Sequence, residues 1–230
     1  MFIKKQFGRV AGKRRAIFKA VGVAAAATVF CVGCGNSDYS GGGKYYDGSD
    51  DGGGGNELYI YTGKKVVIGG KTWMSENANY KGVEPDTIGK CYNDSADNCA
   101  KYGRLYTWAE AKSACPSGWR LPKKAEWDSL MTAVGGLDVA GTKLKSQNGW
   151  NNNGNGTDDY GFLALPGGIG NNDGSSRYAF HDAGNIGFWW SATEDVAYNA
   201  WRWNMSDKSE RVNSSSQDKA DLLSVRCVQD

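Results

Sequence analysis

Apolar positions divide the chain into three stretches. Residues 20–32 form one run built mostly of Ala and Val, with Phe30 and Cys31 near its end. It is shorter than the roughly 20 apolar residues a membrane-crossing helix needs, and has the size of a signal-peptide core. Residues 35–56 offer almost nothing to bury: nine of these 22 positions are Gly, and Ser, Asp, Asn and Tyr make up most of the rest. From about residue 57 short apolar runs recur to the end, one domain's worth of chain with no internal repeat.

Within that last stretch the periodicity predicts particular elements. Val66-Val67-Ile68-Gly69-Gly70-Lys71-Thr72-Trp73-Met74 reads as a hairpin, two β-rich runs about a Gly-Gly turn. Thr107-Trp108-Ala109-Glu110 is a capping box and predicts a helix through about Ala114. Leu121-Pro122 opens a second helix, with Glu126 near its positive end and Leu130 and Met131 facing inward. Gly135-Gly136 stop it. A short third helix is predicted over 138–146, whereas 151–159 is too rich in Asn, Gly and Asp for either regular state. Short β-like runs follow at 161–165, 187–192, 200–203 and 222–228. The fold class read from this order is α+β, with two helices early and antiparallel strands late.

Charge changes the picture at the N-terminus. Lys4, Lys5, Arg9, Lys13, Arg14, Arg15 and Lys19 precede the apolar run, and no acidic residue occurs among the first 33. The run closes on Cys31-Val32-Gly33-Cys34, which resembles the lipobox cut by lipoprotein signal peptidase. The expected organisation is a signal peptide over 1–33, a lipidated Cys34 with a Gly-rich tether over 34–56, and a domain over 57–230. The expected location is the cell envelope, as an outer-membrane lipoprotein anchored through its lipid. A flexible tether of that length reaches roughly 25 Å. Removing the seven basic residues of the signal leaves 20 Lys and Arg against 25 Asp and Glu. The clustered cations of a nucleic-acid surface are missing from that remainder.

Four cysteines follow Cys34, namely Cys91, Cys99, Cys115 and Cys227. In an exported chain an even count implies disulfides, and four cysteines allow three pairings. Zinc is disfavoured, because close Cys/His spacing is lacking and His181 is the one histidine.

Several blocks carry a resemblance. They are Trp73-Met74-Ser75-Glu76-Asn77, Cys115-Pro116-Ser117-Gly118-Trp119-Arg120-Leu121-Pro122 with Glu126-Trp127, and Tyr160-Gly161-Phe162-Leu163-Ala164-Leu165-Pro166-Gly167-Gly168. Phe188-Trp189-Trp190-Ser191-Ala192-Thr193-Glu194 and Ser224-Val225-Arg226-Cys227-Val228 complete the set. In this order they resemble the Fibrobacter succinogenes major paralogous domain family over about 58–230. The Arg-Leu-Pro…Glu-Trp block is also similar to that of the formylglycine-generating enzymes, and the cysteine placement to C-type lectin domains. The resemblance therefore implies a C-type-lectin-like fold. It implies that Cys115 pairs with Cys227, tying the first helix to the final strand, and that Cys91 and Cys99 close a local loop.

Catalysis finds little support in the sequence. His181-Asp182 supplies a base and an orienting group, but no nucleophile motif accompanies them, and a loop residue is the simpler reading. The reactive cysteine pair of the formylglycine-generating enzymes has no counterpart here. The expected class is a non-enzymatic binding domain for a polysaccharide or a cell-surface protein. A structural assembly module is the alternative, and an enzyme of the formylglycine-generating type a weaker one. Trp189, Trp190, Trp201 and Trp203 cluster late, and Trp201 and Trp203 alternate along one strand, so they point the same way. Trp190 is assigned to the core. Trp201, Trp203 and Trp189, with Asn204 beside them, are the candidate ligand residues. No cofactor is expected apart from calcium, which favours the hard oxygens of Asn153, Asn155, Asp158 and Asp159; an Asn-rich turn accounts for the same residues.

Overall fold

The computed structural model describes residues 43–45, 59–83, 86–174 and 177–230. Cys34 and the signal segment lie outside them. The N-terminal part of the described chain is strand-rich: β1 (Gly43–Tyr45), β2 (Tyr59–Tyr61), β3 (Lys65–Ile68), β4 (Lys71–Met74), β5 (Gly82–Val83) and β6 (Asp86–Thr87). A 3-10 turn at Tyr92–Asp94 leads into α1 (Ala96–Tyr102), β7 (Leu105–Tyr106), α2 (Trp108–Ala111), β8 (Trp119–Arg120), α3 (Lys124–Ala133) and α4 (Leu137–Leu144). The C-terminal part is again β: β9 (Gly167–Asn172), β10 (Tyr178–Ala183), β11 (Ile186–Val196), β12 (Asn199–Ser206), β13 (Asn213–Asp218), β14 (Leu223–Ser224) and β15 (Val228–Gln229). The class is mixed, mostly sheet with a few short helices.

The larger sheet runs β10-β9-β11-β12-β13, with β14 joining β11 to β7, and a second sheet runs β3-β4-β15-β8. The β3–β4 hairpin forms as its sequence dictates. Gly69 and Gly70 take φ of +61° and +74°, the left-handed pair that a two-residue turn of this hand requires. Two clusters fill the interior. One brings Trp73, Trp127, Leu130, Leu144, Phe162, Trp189 and Trp203 together beneath α3 and α4. The other gathers Met74, Tyr106, Ala111, Leu121, Phe188, Trp190, Leu223 and Cys227 on the opposite side of β11 and β12. With so little Leu and Ile, Trp supplies the volume, and its ring pairs pack in tilted and stacked geometries such as Trp127 on Trp203 at 6.2 Å.

Local signals end where tertiary structure takes over. The Thr107–Glu110 capping box forms in full, but α2 stops at Ala111, earlier than the sequence suggests, and Cys115 follows in a turn. Helix α3 begins at Lys124, after Pro122, and buries Trp127, Leu130 and Met131. Among the described residues four α-helices are present where three were expected; α1 is the addition. Residues 161–165 form no strand beyond an isolated bridge at Ala164, and the 222–228 run breaks into β14 and β15 around Arg226 and Cys227. The Gly-rich stretch expected to be a coil contains β1, which pairs antiparallel with β2. Both disulfides form with the pairing the resemblance implied, Cys91–Cys99 and Cys115–Cys227.

Arg120 grips Glu126 through two bonds of 2.7 Å each, and Lys123 N–H donates to the same carboxylate at 2.8 Å. The Arg120 fork is the main reason that the Glu126 pKa falls to about 2. Because the folded value lies below the unfolded one, this contribution is fully present above about pH 4.5 and is lost as pH falls toward 2. Glu126→Gln should therefore cost on the order of 1–2 kcal/mol at neutral pH, after screening at the half-exposed Arg120. Urea titrations at several pH values should show the gap between wild type and variant closing between pH 4.5 and 2. A gap independent of pH would assign the cost to packing alone.

Candidate functional site

The sequence-predicted ligand residues do not converge. Trp189 is fully buried and donates Nε1–H to Asn77 Oδ1 at 2.9 Å, while Trp203 is only 2% exposed and lies against Trp127. Neither offers a face to a ligand, because α3 covers the side of β11 and β12 on which they sit. Trp190 is core, as expected. Trp201 is half-buried and does share a side with Trp203: Lys124 Nζ lies 5.0 Å from the first ring centroid and 5.8 Å from the second. Asn204, one position on, faces the other side of the strand, where it accepts from Arg202.

The oxygen-rich loop is also spent locally. Asn155 Oδ1 accepts from Trp150 N–H at 3.0 Å, and Asp158 Oδ1 from Leu163 N–H at 2.8 Å. Burial raises the Asp158 pKa above the ordinary carboxylate range. Asn153 and Asp159 are exposed. Among the described residues no three His, Cys, Asp or Glu side chains group together.

A different constellation appears on the side of β12 that carries Asn204. Arg202 Nη1 donates to Asn204 Oδ1 at 2.5 Å, and Arg202 Nε to Gln217 Oε1 at 3.3 Å. Gln217 Nε2 donates to Asp221 Oδ2 at 2.5 Å, and Asn171 Nδ2 to the same oxygen at 3.1 Å. Asn171 Oδ1 then meets His181 Nε2, and His181 Nδ1 meets Asp182 Oδ2 at 2.7 Å. The result is an unbroken chain of seven side chains drawn from β10, β9, the turn before β14, β13 and β12. Side chain to side chain bonds are ordinarily a small share of a protein's total, so such a run is unusual.

The orientation of each group follows from its neighbour. Asp221 is buried and accepts from Asn172 N–H at 2.7 Å as well as from Asn171 and Gln217, so both amides must turn their carbonyls away from it. Asn171 thus presents an acceptor to His181 Nε2, and Asp182 presents one to Nδ1. His181 is half-exposed and lies on β10 rather than in a loop; no Ser or Cys side chain among the described residues bonds to it. Register pairs Arg202 with Ser215 and Asn204 with Asn213, so alternation aligns Asn213, Ser215 and Gln217 in a polar row beside them.

On the other side of β10 lies a cleft of about 560 Å³, lined by Lys90, Asn93, Asp94, Arg177, Tyr178 and Phe180. The 3-10 turn supplies Asn93 and Asp94 to its wall, and Tyr92 packs on Phe180 at 5.4 Å.

The sequence blocks that looked familiar have structural duties instead. Arg226 is fully buried and donates to Met74 O at 3.0 Å, Leu163 O at 3.2 Å, Asn77 Oδ1 at 2.8 Å and Phe162 O. Asn77 donates in turn to Tyr102 O at 2.8 Å and accepts from Trp189. Residues from four of the five blocks therefore meet at one buried hub. The polar chain was passed over, although the alternation in Arg202-Trp203-Asn204 and the unbroken polar run Asn213-Ser214-Ser215-Ser216-Gln217 mark two of its strands.

A family model described as the Fibrobacter succinogenes major domain matches residues 66–229. No curated protein and no solved structure matches the chain.

Proposed function

This chain belongs to the Fibrobacter succinogenes major domain family, and on that footing we propose that it is a non-catalytic envelope lipoprotein whose domain binds a carbohydrate. The observation that carries the reading is the hydrogen-bonded chain from Asp182 to Asn204. Planar amides held in fixed orientations on a partly exposed sheet face are suited to sugar hydroxyls, which need a donor and an acceptor at each position. Phe188, buried beneath Arg202 at 4.8 Å, holds the guanidinium in place. A C-type-lectin-like fold is the architecture proposed for the domain. Its support is the Cys115–Cys227 bridge, the helices α2 and α3 beside the long β11–β12 pair, and the closing strand β15 between β4 and β8. The lipid on Cys34 and the outer membrane complete the proposal from the signal sequence.

A protein-assembly role is the second reading. Its support is the β11–β12 hairpin tip, where Tyr198 is 80% exposed and Val196 56%.

The deciding experiment is retention of the oxidised chain on a panel of neutral and acidic polysaccharides. Asn171→Ala and Gln217→Ala should each weaken binding roughly 5–10-fold, about 1 kcal/mol per lost hydrogen bond, with near-UV circular dichroism unchanged. Binding that ignores both substitutions sinks this site. Silence on every glycan, with cross-links forming through Tyr198 to another protein, would establish the assembly role.

A further inference from the structure

Arg202 differs from Arg120 and Lys219 in what holds it. Its guanidinium carbon lies 4.8 Å over the Phe188 ring, and its two assigned bonds go to neutral carbonyls, Asn204 Oδ1 and Gln217 Oε1. Among the described residues it makes no ion pair, whereas Arg120 has Glu126 and Asp230, and Lys219 has Glu194. The nearest carboxylate of the network, Asp221, is kept from it by Gln217, whose amide nitrogen faces Asp221 and whose carbonyl faces Arg202. Among the described residues no acceptor meets Nη2, and it is not one of the buried orphaned atoms, so it reaches solvent.

A guanidinium that is half-buried, held in plane by an aromatic ring and two amides, and left without a counter-charge is prepared for a bidentate anion. Partial burial lowers its pKa by desolvation, which makes a carboxylate arriving there more favourable than at an exposed cation. The flanking row of Asn204, Asn213, Ser215 and Gln217 offers hydroxyl-matching groups and no apolar socket for a peptide side chain.

We infer that Arg202 recognises a carboxylate and that the ligand of this face is an acidic glycan, a polymer of uronate sugars. The inference rests on the carbohydrate-binding reading above and adds the charge of the sugar to it.

The test is native affinity electrophoresis of the disulfide-bonded full chain in gels containing polygalacturonate, alginate, fully methyl-esterified pectin or polyglutamate. Retardation is expected in at least one polyuronate and in neither the esterified polymer nor polyglutamate, and added salt should weaken it. Arg202→Gln should reduce the affinity at least tenfold. Arg202→Lys should restore part of it, since the ammonium keeps the charge but not the fork; circular dichroism of both variants monitors the fold. Equal retardation by esterified pectin and polygalacturonate would overturn the assignment to Arg202 while leaving the glycan reading intact. Equal retardation by polyglutamate would replace the glycan with an acidic polypeptide. No retardation by any polyuronate, with neutral glycans retained on the panel, would overturn the inference alone; silence on both would end the two together.

Discussion

Arg226→Met should destabilise the domain by about 3–5 kcal/mol, and Arg226→Lys by about 2, in urea unfolding of the oxidised protein. The guanidinium is fully buried, with its carbon 4.3 Å over the Phe162 ring, and it satisfies three backbone carbonyls and Asn77 Oδ1. Desolvation lowers its pKa to about 10, so it stays charged at neutral pH. Met fills the volume but leaves the Met74, Phe162 and Leu163 carbonyls buried without a donor, each at a cost of about 1–3 kcal/mol. Lys keeps the charge and loses the fork that reaches several carbonyls at once. A loss below 1 kcal/mol for Arg226→Met would show that the carbonyls find water or other donors, and the hub would then be incidental to the fold.

Cutting the long bridge should have an effect of the same size. Cys115 and Cys227 are separated by 112 residues, so on chain-entropy grounds their bond is worth about 4–5 kcal/mol. Cys91 and Cys99, eight apart, should contribute roughly 2–3 kcal/mol and should chiefly loosen the 3-10 turn that walls the cleft. The double variant Cys115→Ser, Cys227→Ser should therefore shift the denaturation midpoint far more than Cys91→Ser, Cys99→Ser. Equal shifts would mean that loop length does not govern these bonds, and that strain or residual structure in the unfolded chain does.

Local chemistry made part of this fold legible in advance. The β3–β4 hairpin, the Thr107–Glu110 box and the Gly135-Gly136 stop are each decided within a few residues, and each formed. The pairing of the cysteines was not readable from spacing; it came from the resemblance, which the family match over residues 66–229 supports. Strand β9 was missed because Gly167-Gly168-Ile169-Gly170-Asn171-Asn172 has little β propensity. The structure needs small residues there: a Cβ on Gly170 would stand 3.0 Å from the Phe180 ring. Helix α1 lacks an apolar stripe and is held instead through Cys99. Residues 161–165 looked like a strand, yet their task is to point the Phe162 and Leu163 carbonyls at Arg226.

The site was harder to read for a related reason. Period-two alternation shows which side chains share a face of a strand, but not which face another element covers. Trp201 and Trp203 do share a face, and α3 lies across it, so Trp203 became core and Trp201 half-buried, while the polar alternates, Arg202 and Asn204, lie on the other side. No local signal connects those two with Gln217, Asp221, Asn171 and His181, which span some 50 residues between Asn171 and Asp221. Only the order of strands in the sheet brings them into one chain.

The location of that site is the central claim, and amide chemical-shift mapping during titration with the retained glycan tests it most directly. Perturbations should concentrate at Asn171, His181, Arg202, Asn204 and Gln217. Perturbations centred on Trp201 and Lys124, or on the Val196 and Tyr198 tip, would contradict it.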